Sequence, residues 1–316
     1  MLNIRNSVAA MTAGIAGLVL ALPAAAEFPA KPVTLVVAYG AGGGTDVTAR
    51  LLARDLEQAL GQSVTVQNIT GGGGWNGWAA IANADPDGYT IGYINIPNMY
   101  AGYLSPEFSR EENLDSFTLL MNHVTDYCVW AVAPDSPFQS IGDVMNAVSS
   151  GRVSMNAHGF GGDDHLAILR MEAAHGVSFS VIHNNSTADS ISQVLGGHVN
   201  VLAANVSEVA SMNENGELRV LGVMSPERSP FLPDVPTFRE QGYDQVWSVS
   251  RGIAAPGGLP DELAEKLLDA LETTIRSDVH RAAAEQLSLA PEVVKGSDYV
   301  SFLVETEQEI KSLMGW

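Results

Sequence analysis

Cysteine is almost absent: Cys128 is the single one in 316 residues. One thiol forms no internal disulfide and cannot furnish a four-cysteine zinc site, so it reads as a small buried hydrophobe. Basic residues are scarce as well. There are 16 against 36 acidic ones, for a net charge of −20, and only four are lysine. A nucleic-acid binder needs a basic face, and a protein docked on anionic lipid needs basic clusters; this composition excludes both classes of partner. After residue 26 no run of 18 uncharged apolar residues occurs, so no later segment reads as a spanning helix.

Catalytic signatures are missing too. Neither H-E-x-x-H nor G-x-S-x-G is present. His158 and His165 bracket Asp163 and Asp164, but that spacing matches no standard metal site, and neither metal nor cofactor is expected. The glycine loop at 40–44 fails two nucleotide tests. A P-loop ends in Gly-Lys-Ser/Thr, where this chain has Gly44-Thr45-Asp46. A dinucleotide fingerprint needs a third glycine where Thr45 stands and an acid where Gln67 and Asn68 stand.

What is present begins with an export signal over 1–26. Arg5 gives the basic start, residues 8–22 are apolar or small, and Ala24-Ala25-Ala26 offers the cleavage site. Cleavage would leave 316 − 26 = 290 residues and, with Arg5 gone, a charge of −20 − 1 = −21. The expected product is exported, to the periplasm in a bacterium with an outer membrane. Hydrophobic residues form 46% of the chain, enough for a sizeable core. Apolar runs at 33–38, 63–67 and 89–94 alternate with helical patterns at 45–60 and 77–84, which predicts parallel strands covered by helices on both faces. A strand at 127–133 leads to a second series. Its strands are expected at 152–155, 177–182, 199–203 and 218–224, and its helices at 163–175 and 186–195. Three terminal helices follow, at about 261–277, 278–289 and 298–314. Two α/β domains are expected, 27–130 with 250–316 and 131–249, joined by two crossing segments that make a hinge.

One device recurs: strand, glycine loop, helix start, at 40–46, 71–77 and 159–165. Glycine lets backbone N–H groups approach a ligand, and a helix N-terminus adds orphan donors and partial positive charge. Such loops bind anions without lysine or arginine. Distant surface carboxylates are screened beyond about 8–10 Å at ordinary salt, so the acidic surface does not forbid this. Each feature also has a plainer structural reading. A glycine run can be a tight turn, Asp46 an N-terminal helix cap, His165 a packing or capping residue, and Trp75 and Trp78 core.

The series KPVTLVVAYGAGGGTD (31–46), LGQSVTV (60–66), DPDGYT (85–90), GFGGDDHL (159–166), LGGHVN (195–200) and APGGLP (255–260) resembles the TctC/Bug family, solute receptors of tripartite tricarboxylate transporters. The likeness runs in order along the mature chain. It implies a two-domain Venus-flytrap fold of α/β class, no catalysis, delivery to membrane permease subunits, and a monomer. It also implies a small carboxylate ligand: a di- or tricarboxylate, an acidic amino acid or an aromatic acid. The family holds its carboxylate largely on backbone amides of two loops. On this chain these carry Tyr39, Gly40, Ala41, Gly43, Thr45 and Asp46, then Ala157, His158, Gly159, Gly161 and His165. Asn95, Asn98 and Asn205 are secondary expectations. Two departures stand out. Ala157 and His158, and again Gly162 and Asp163, stand where small hydroxyl residues are usual. The stretch 183–186 lacks the usual cation, which favours a di- or monocarboxylate over a tricarboxylate. His158 and His183 could supply pH-dependent charge there. A sensing subunit remains an alternative, as does an enzyme using Asp46 or His165 as base.

Overall fold

The alternation of apolar runs and glycine loops folds into two lobes that share two strands. The computed structural model describes residues 28–108, 110–184 and 186–316; the expected export signal lies outside them. The first lobe opens with β1 (Val33–Val37), α1 (Gly44–Leu60), β2 (Val64–Asn68), α2 (Trp75–Ala82), β3 (Thr90–Ile96) and α3 (Asn98–Leu104). Strand β4 (Phe117–Val132) then crosses to the second lobe. There the chain forms α4 (Ile141–Ser150), β5 (Ser154–His158), α5 (Asp163–His175), β6 (Ser180–Asn184) and α6 (Thr187–Leu195). It continues through β7 (Val201–Asn205), α7 (Val206–Glu214) and β8 (Arg219–Val223). Strand β9 (Ser248–Pro256) returns, and α8 (Asp261–Arg276), α9 (Asp278–Glu285), β10 (Pro291–Lys295) and α10 (Gly296–Met314) complete the first lobe.

The strands run in the order β2-β1-β3-β9-β4-β7-β5-β6, with β10 and β8 also on β4. β1 is parallel to β2 and β3, and β5 is parallel to β6 and β7, as strands joined by helical crossovers are. The pair that joins the lobes is antiparallel, because one strand leaves and the other returns. β4 pairs with β9 from Phe117 to Tyr127, then with β7 from Cys128 to Ala131. The strand expected at 127–133 is thus the tail of a 16-residue strand.

Period-two alternation divides the core. Val33, Leu35 and Val37 pack with Leu52 and Leu56 of α1 and Leu267 and Leu271 of α8. Val36 and Ala38, on the opposite side of β1, pack with Trp75 and Trp78. In the second lobe Trp130 and Val132 face Ile141 and Leu166, while Val129 and Ala131 face Val194 and Val209. Both faces of the sheet are therefore covered. Trp75 and Trp78 are core residues, 3% and 1% exposed.

A buried polar chain ties four elements of the first lobe. Tyr93 lies 2.6 Å from His123 Nδ1, His123 Nε2 lies 2.9 Å from His280 Nε2, and His280 Nδ1 lies 2.8 Å from Asp55. Burial lowers the pKa of His123, with His280 and Arg251 adding to the effect. Burial also lowers that of His280, outweighing Asp55. With both rings neutral the protons are assigned. His280 donates from Nδ1 to Asp55, His123 donates from Nε2 to His280, and Tyr93 donates to His123. The depressed histidine pKa values give stability that is present above about pH 6.5 and lost as pH falls below it. We expect thermal midpoints to fall between pH 7.5 and 5. The fall should be smaller in a His123→Gln/His280→Gln variant, which removes the titrating groups and leaves the carboxylates. Parallel curves for both proteins would refute this assignment.

Candidate binding cleft

β1 ends at Val37, and its next residues turn into α1 through the glycine loop. Gly42 has φ 84°, a conformation suited to glycine, and donates its N–H to Asp46 Oδ2 at 2.8 Å. Arg50 grips both oxygens of Asp46 at 2.9 Å, and Asn68 Nδ2 donates to Oδ1 at 2.9 Å. Burial pushes the Asp46 pKa up, but the bonds from Arg50, Gly42 and Asn68 prevail and hold it below its ordinary value. The helix cap position is Gly43, with Asp46 reaching back from the first turn. Asp46 thus shapes the loop, while the first N–H groups of α1 have no partner within the helix.

Between the lobes is a cavity of about 660 Å³. The first lobe lines it with Tyr39, Gly40, Ala41, Gly43, Thr45, Asn95 and Asn98, and the second with His158 and Asn205, so the structure brings these expected residues together. Five expected residues are not in its wall: Asp46, Ala157, Gly159, Gly161 and His165. Ala157 is buried in the core. His165 Nδ1 accepts the Gly161 N–H at 3.0 Å, so it organises the second loop from behind. Burial, then His183, pull its pKa down to about 4. Gly161 is needed for close approach: a Cβ there would stand 2.2 Å from the Ala101 methyl on α3. The lobes also meet where Asn98 donates to Asp163 Oδ1 at 3.0 Å, where Tyr39 packs on His158, and where Arg170 pairs with Glu309.

Sequence reasoning missed the cation. Arg251, in β9, lines the cavity and is 3% exposed. Its Nη2 donates to Asp126 Oδ2 at 2.8 Å and its Nη1 lies 3.4 Å from the Thr48 hydroxyl, while its Nε has no protein partner. The stretch 183–186 indeed places no lysine or arginine in the wall; the charge comes from the crossing strand instead. One signal was available: a lone arginine inside the apolar run SVSRGIAAP.

The second lobe adds acids. Asp163 accepts from Asn98 and from Asn205 Nδ2, the latter at 2.8 Å. Glu208 accepts the Asn205 N–H at 3.0 Å and the Thr187 hydroxyl at 2.9 Å. Burial raises its pKa despite Arg251. Asp164, 3% exposed, is pushed well above the carboxylate range by burial and then by Asp163. Cys128, Asp163 and Asp164 could each turn a ligand atom toward one point. Both Asp163 oxygens already accept amide protons, and burial raises the Cys128 thiol, so these donors are poorly suited to a metal.

Two lobes sharing crossing strands, with a polar cleft between them, define a solute-binding protein. The family model "Tripartite tricarboxylate transporter family receptor" matches residues 48–315, and the chain belongs to that family. It is 32% identical to Protein BugT of Bordetella pertussis over 254 residues, 78% of this chain and 76% of that one. Among solved structures it is similar to the periplasmic binding protein BugD, with TM-score 0.79, 28% identity, and coverage of 91% of this chain and 97% of that one. A TctC solute-binding protein from Polaromonas gives TM-score 0.73 and 27% identity, covering 91% and 99%.

Proposed function

We propose that this chain is an exported receptor that closes on a small carboxylate between its lobes and delivers it to the membrane subunits of a tripartite transporter. The observation that carries this reading is the pairing of the glycine loop and the α1 N-terminus with buried Arg251 in one cavity wall. Backbone donors, helix dipole and guanidinium are the groups a carboxylate requires. The sites expected at Tyr39–Thr45, Asn95, Asn98, His158 and Asn205 fit contact with ligand. Asp46 and His165 fit shaping the two loops. Export rests on the pattern at 1–26, and no helix of the described residues is long and apolar enough to cross a membrane. β4 and β9 fit the role of hinge between domains of about 27–130 with 250–316 and 131–249.

The test is thermal unfolding of the mature protein against tricarboxylates, C4 to C8 dicarboxylates, amino acids and aromatic acids, with sugars as controls. A ligand at about 100 times Kd adds roughly 2.7 kcal/mol. We expect a rise of several degrees confined to carboxylates, with the ligand recovered unchanged. A rise with sugars alone, or consumption of the ligand, would overturn the reading.

A further inference from the structure

Asp126, Asp163, Asp164 and Glu208 crowd the cleft and its hinge, and their partners set them apart. Asp126 accepts from Arg251 Nη2 and from both the N–H and the hydroxyl of Ser207. Asp163 accepts one amide from Asn98 and one from Asn205. Carboxyls served by several donors are the ones that stay ionised. Asp164 has one long bond, from the His158 N–H at 3.4 Å, and is 3% exposed, so it is kept as the neutral acid.

Glu208 differs from all three. It is only partly buried and lines the cavity, so it stays in contact with solvent. Its Oε1 accepts from the Thr187 hydroxyl at 2.9 Å. A hydroxyl can turn and accept instead, so the acid form of Glu208 finds the same partner as the carboxylate form. The Asn205 N–H serves Oε2 in either state, at 3.0 Å. Glu208 also reaches from the second lobe to the glycine loop of the first. A Cβ on Gly44 would stand 2.6 Å from Arg251 Nη2 and 3.6 Å from Glu208 Oε1. Guanidinium and carboxyl thus flank the same first turn of α1. An anion seated there lies beside Glu208, and a second negative charge disfavours ionisation of the first.

We propose that Glu208 takes up a proton as the cleft captures an anion, so that ligand and proton bind together. This rests on the receptor reading above and adds a regulation of that site. The complex then holds more protons than the ligand-free protein, and by linkage affinity is high at low pH and falls as pH rises. Around Glu208, Arg251 of β9 favours the carboxylate form, while burial and Asp126 of β4 oppose it, as does Asp164 of α5 whenever it is charged. Burial raises the Tyr39 hydroxyl and the Cys128 thiol, so both stay neutral at working pH. His158 of β5 is the other titratable side chain in the wall, and its loss of charge would weaken anion binding in the same direction.

The test is calorimetric titration of the mature protein with succinate, adipate and benzoate between about pH 5.5 and 8.5, each in two buffers of different ionisation enthalpy. The expected result is proton uptake on binding and a Kd that rises roughly 10-fold across the range, equivalent to one pKa unit on Glu208. Glu208→Gln keeps the shape of the acid form, donating to Thr187 and accepting from Asn205. It should bind with little pH dependence and take up no proton beyond those the probe itself accounts for. His158→Gln should keep the uptake. Thermal unfolding without ligand checks that both variants are folded. Infrared difference spectra of the parent give a second readout at neutral pH: the C=O band of a protonated carboxyl should grow on loading. No uptake and no such band in the parent, uptake that survives Glu208→Gln, or uptake lost in His158→Gln would overturn the proposal while the receptor reading stands. If none of the three probes binds and the wider carboxylate panel is also silent, the receptor reading itself fails and this proposal falls with it.

Discussion

Arg251→Ala is expected to weaken carboxylate binding by roughly 10- to 150-fold, the equivalent of the 1.5–3 kcal/mol that a hydrogen bond to a charged group is worth. It should also destabilise the protein by about 3–5 kcal/mol, because removing one partner leaves Asp126 as an uncompensated buried charge. Both members of the pair are nearly inaccessible, at 3% and 4% of side-chain exposure. The two effects separate in the double variant Arg251→Ala/Asp126→Ala. Losing both charges should restore part of the stability and none of the affinity. Urea denaturation reads the first quantity and calorimetric titration the second. A single variant as stable as the parent would show the pair to be effectively solvated, and one with unchanged affinity would place the carboxylate elsewhere.

Gly43→Val should leave the fold almost intact and reduce binding at least 100-fold. Gly43 has φ −77° and ψ 167°, an extended conformation open to any residue. A Cβ there would meet only the Gly40 carbonyl, at 3.6 Å, an ordinary contact. The valine methyls therefore have room, and because Gly43 belongs to the cavity wall that room is the anion cradle proposed above. Loss of the glycine cap costs about 1 kcal/mol or less, a shift of a few degrees at most in a chain of this size. The neighbouring position behaves differently: a Cβ on Gly44 would lie 2.6 Å from Arg251 Nη2, so substitution there perturbs the ion pair as well. Retained affinity in Gly43→Val would remove this loop from the site.

Much of the scaffold was legible because apolar runs and glycines coincide with element boundaries. The helix expected at 163–175 is α5, with Gly176 in the left-handed conformation ending it, and Gly61 ends α1 in the same way. β4 was legible only in its second half. Asn122, His123 and Asp126 interrupt its apolar pattern, and each is buried against a distant partner: Ser250, His280 and Arg251. Helix α3 begins directly after Pro97, and edge strand β10 is half exposed, so neither carries a clear periodic signature. The site divided along the same line. The glycine loop announces itself by composition, whereas Arg251 and Glu208 reach the cleft through tertiary pairing. Asp163 and Asp164 stood out for their spacing with His158 and His165, but what they do depends on Asn98 and Asn205, which are 65 and 42 residues from Asp163.

The guanidinium of Arg251 is carried by one of the two strands that join the lobes, and Asp126, its partner, by the other. A charge mounted on a joint turns when the joint turns. If β4 and β9 are the hinge and Arg251 holds the carboxylate, as proposed above, bending these strands to part the lobes also changes where the guanidinium lies relative to the 40–44 loop. Unlatching the cleft and loosening the grip on the cargo are then a single mechanical event. In that proposed scheme, a membrane partner that parts the lobes would need no anion-binding group of its own to win the solute from its carrier.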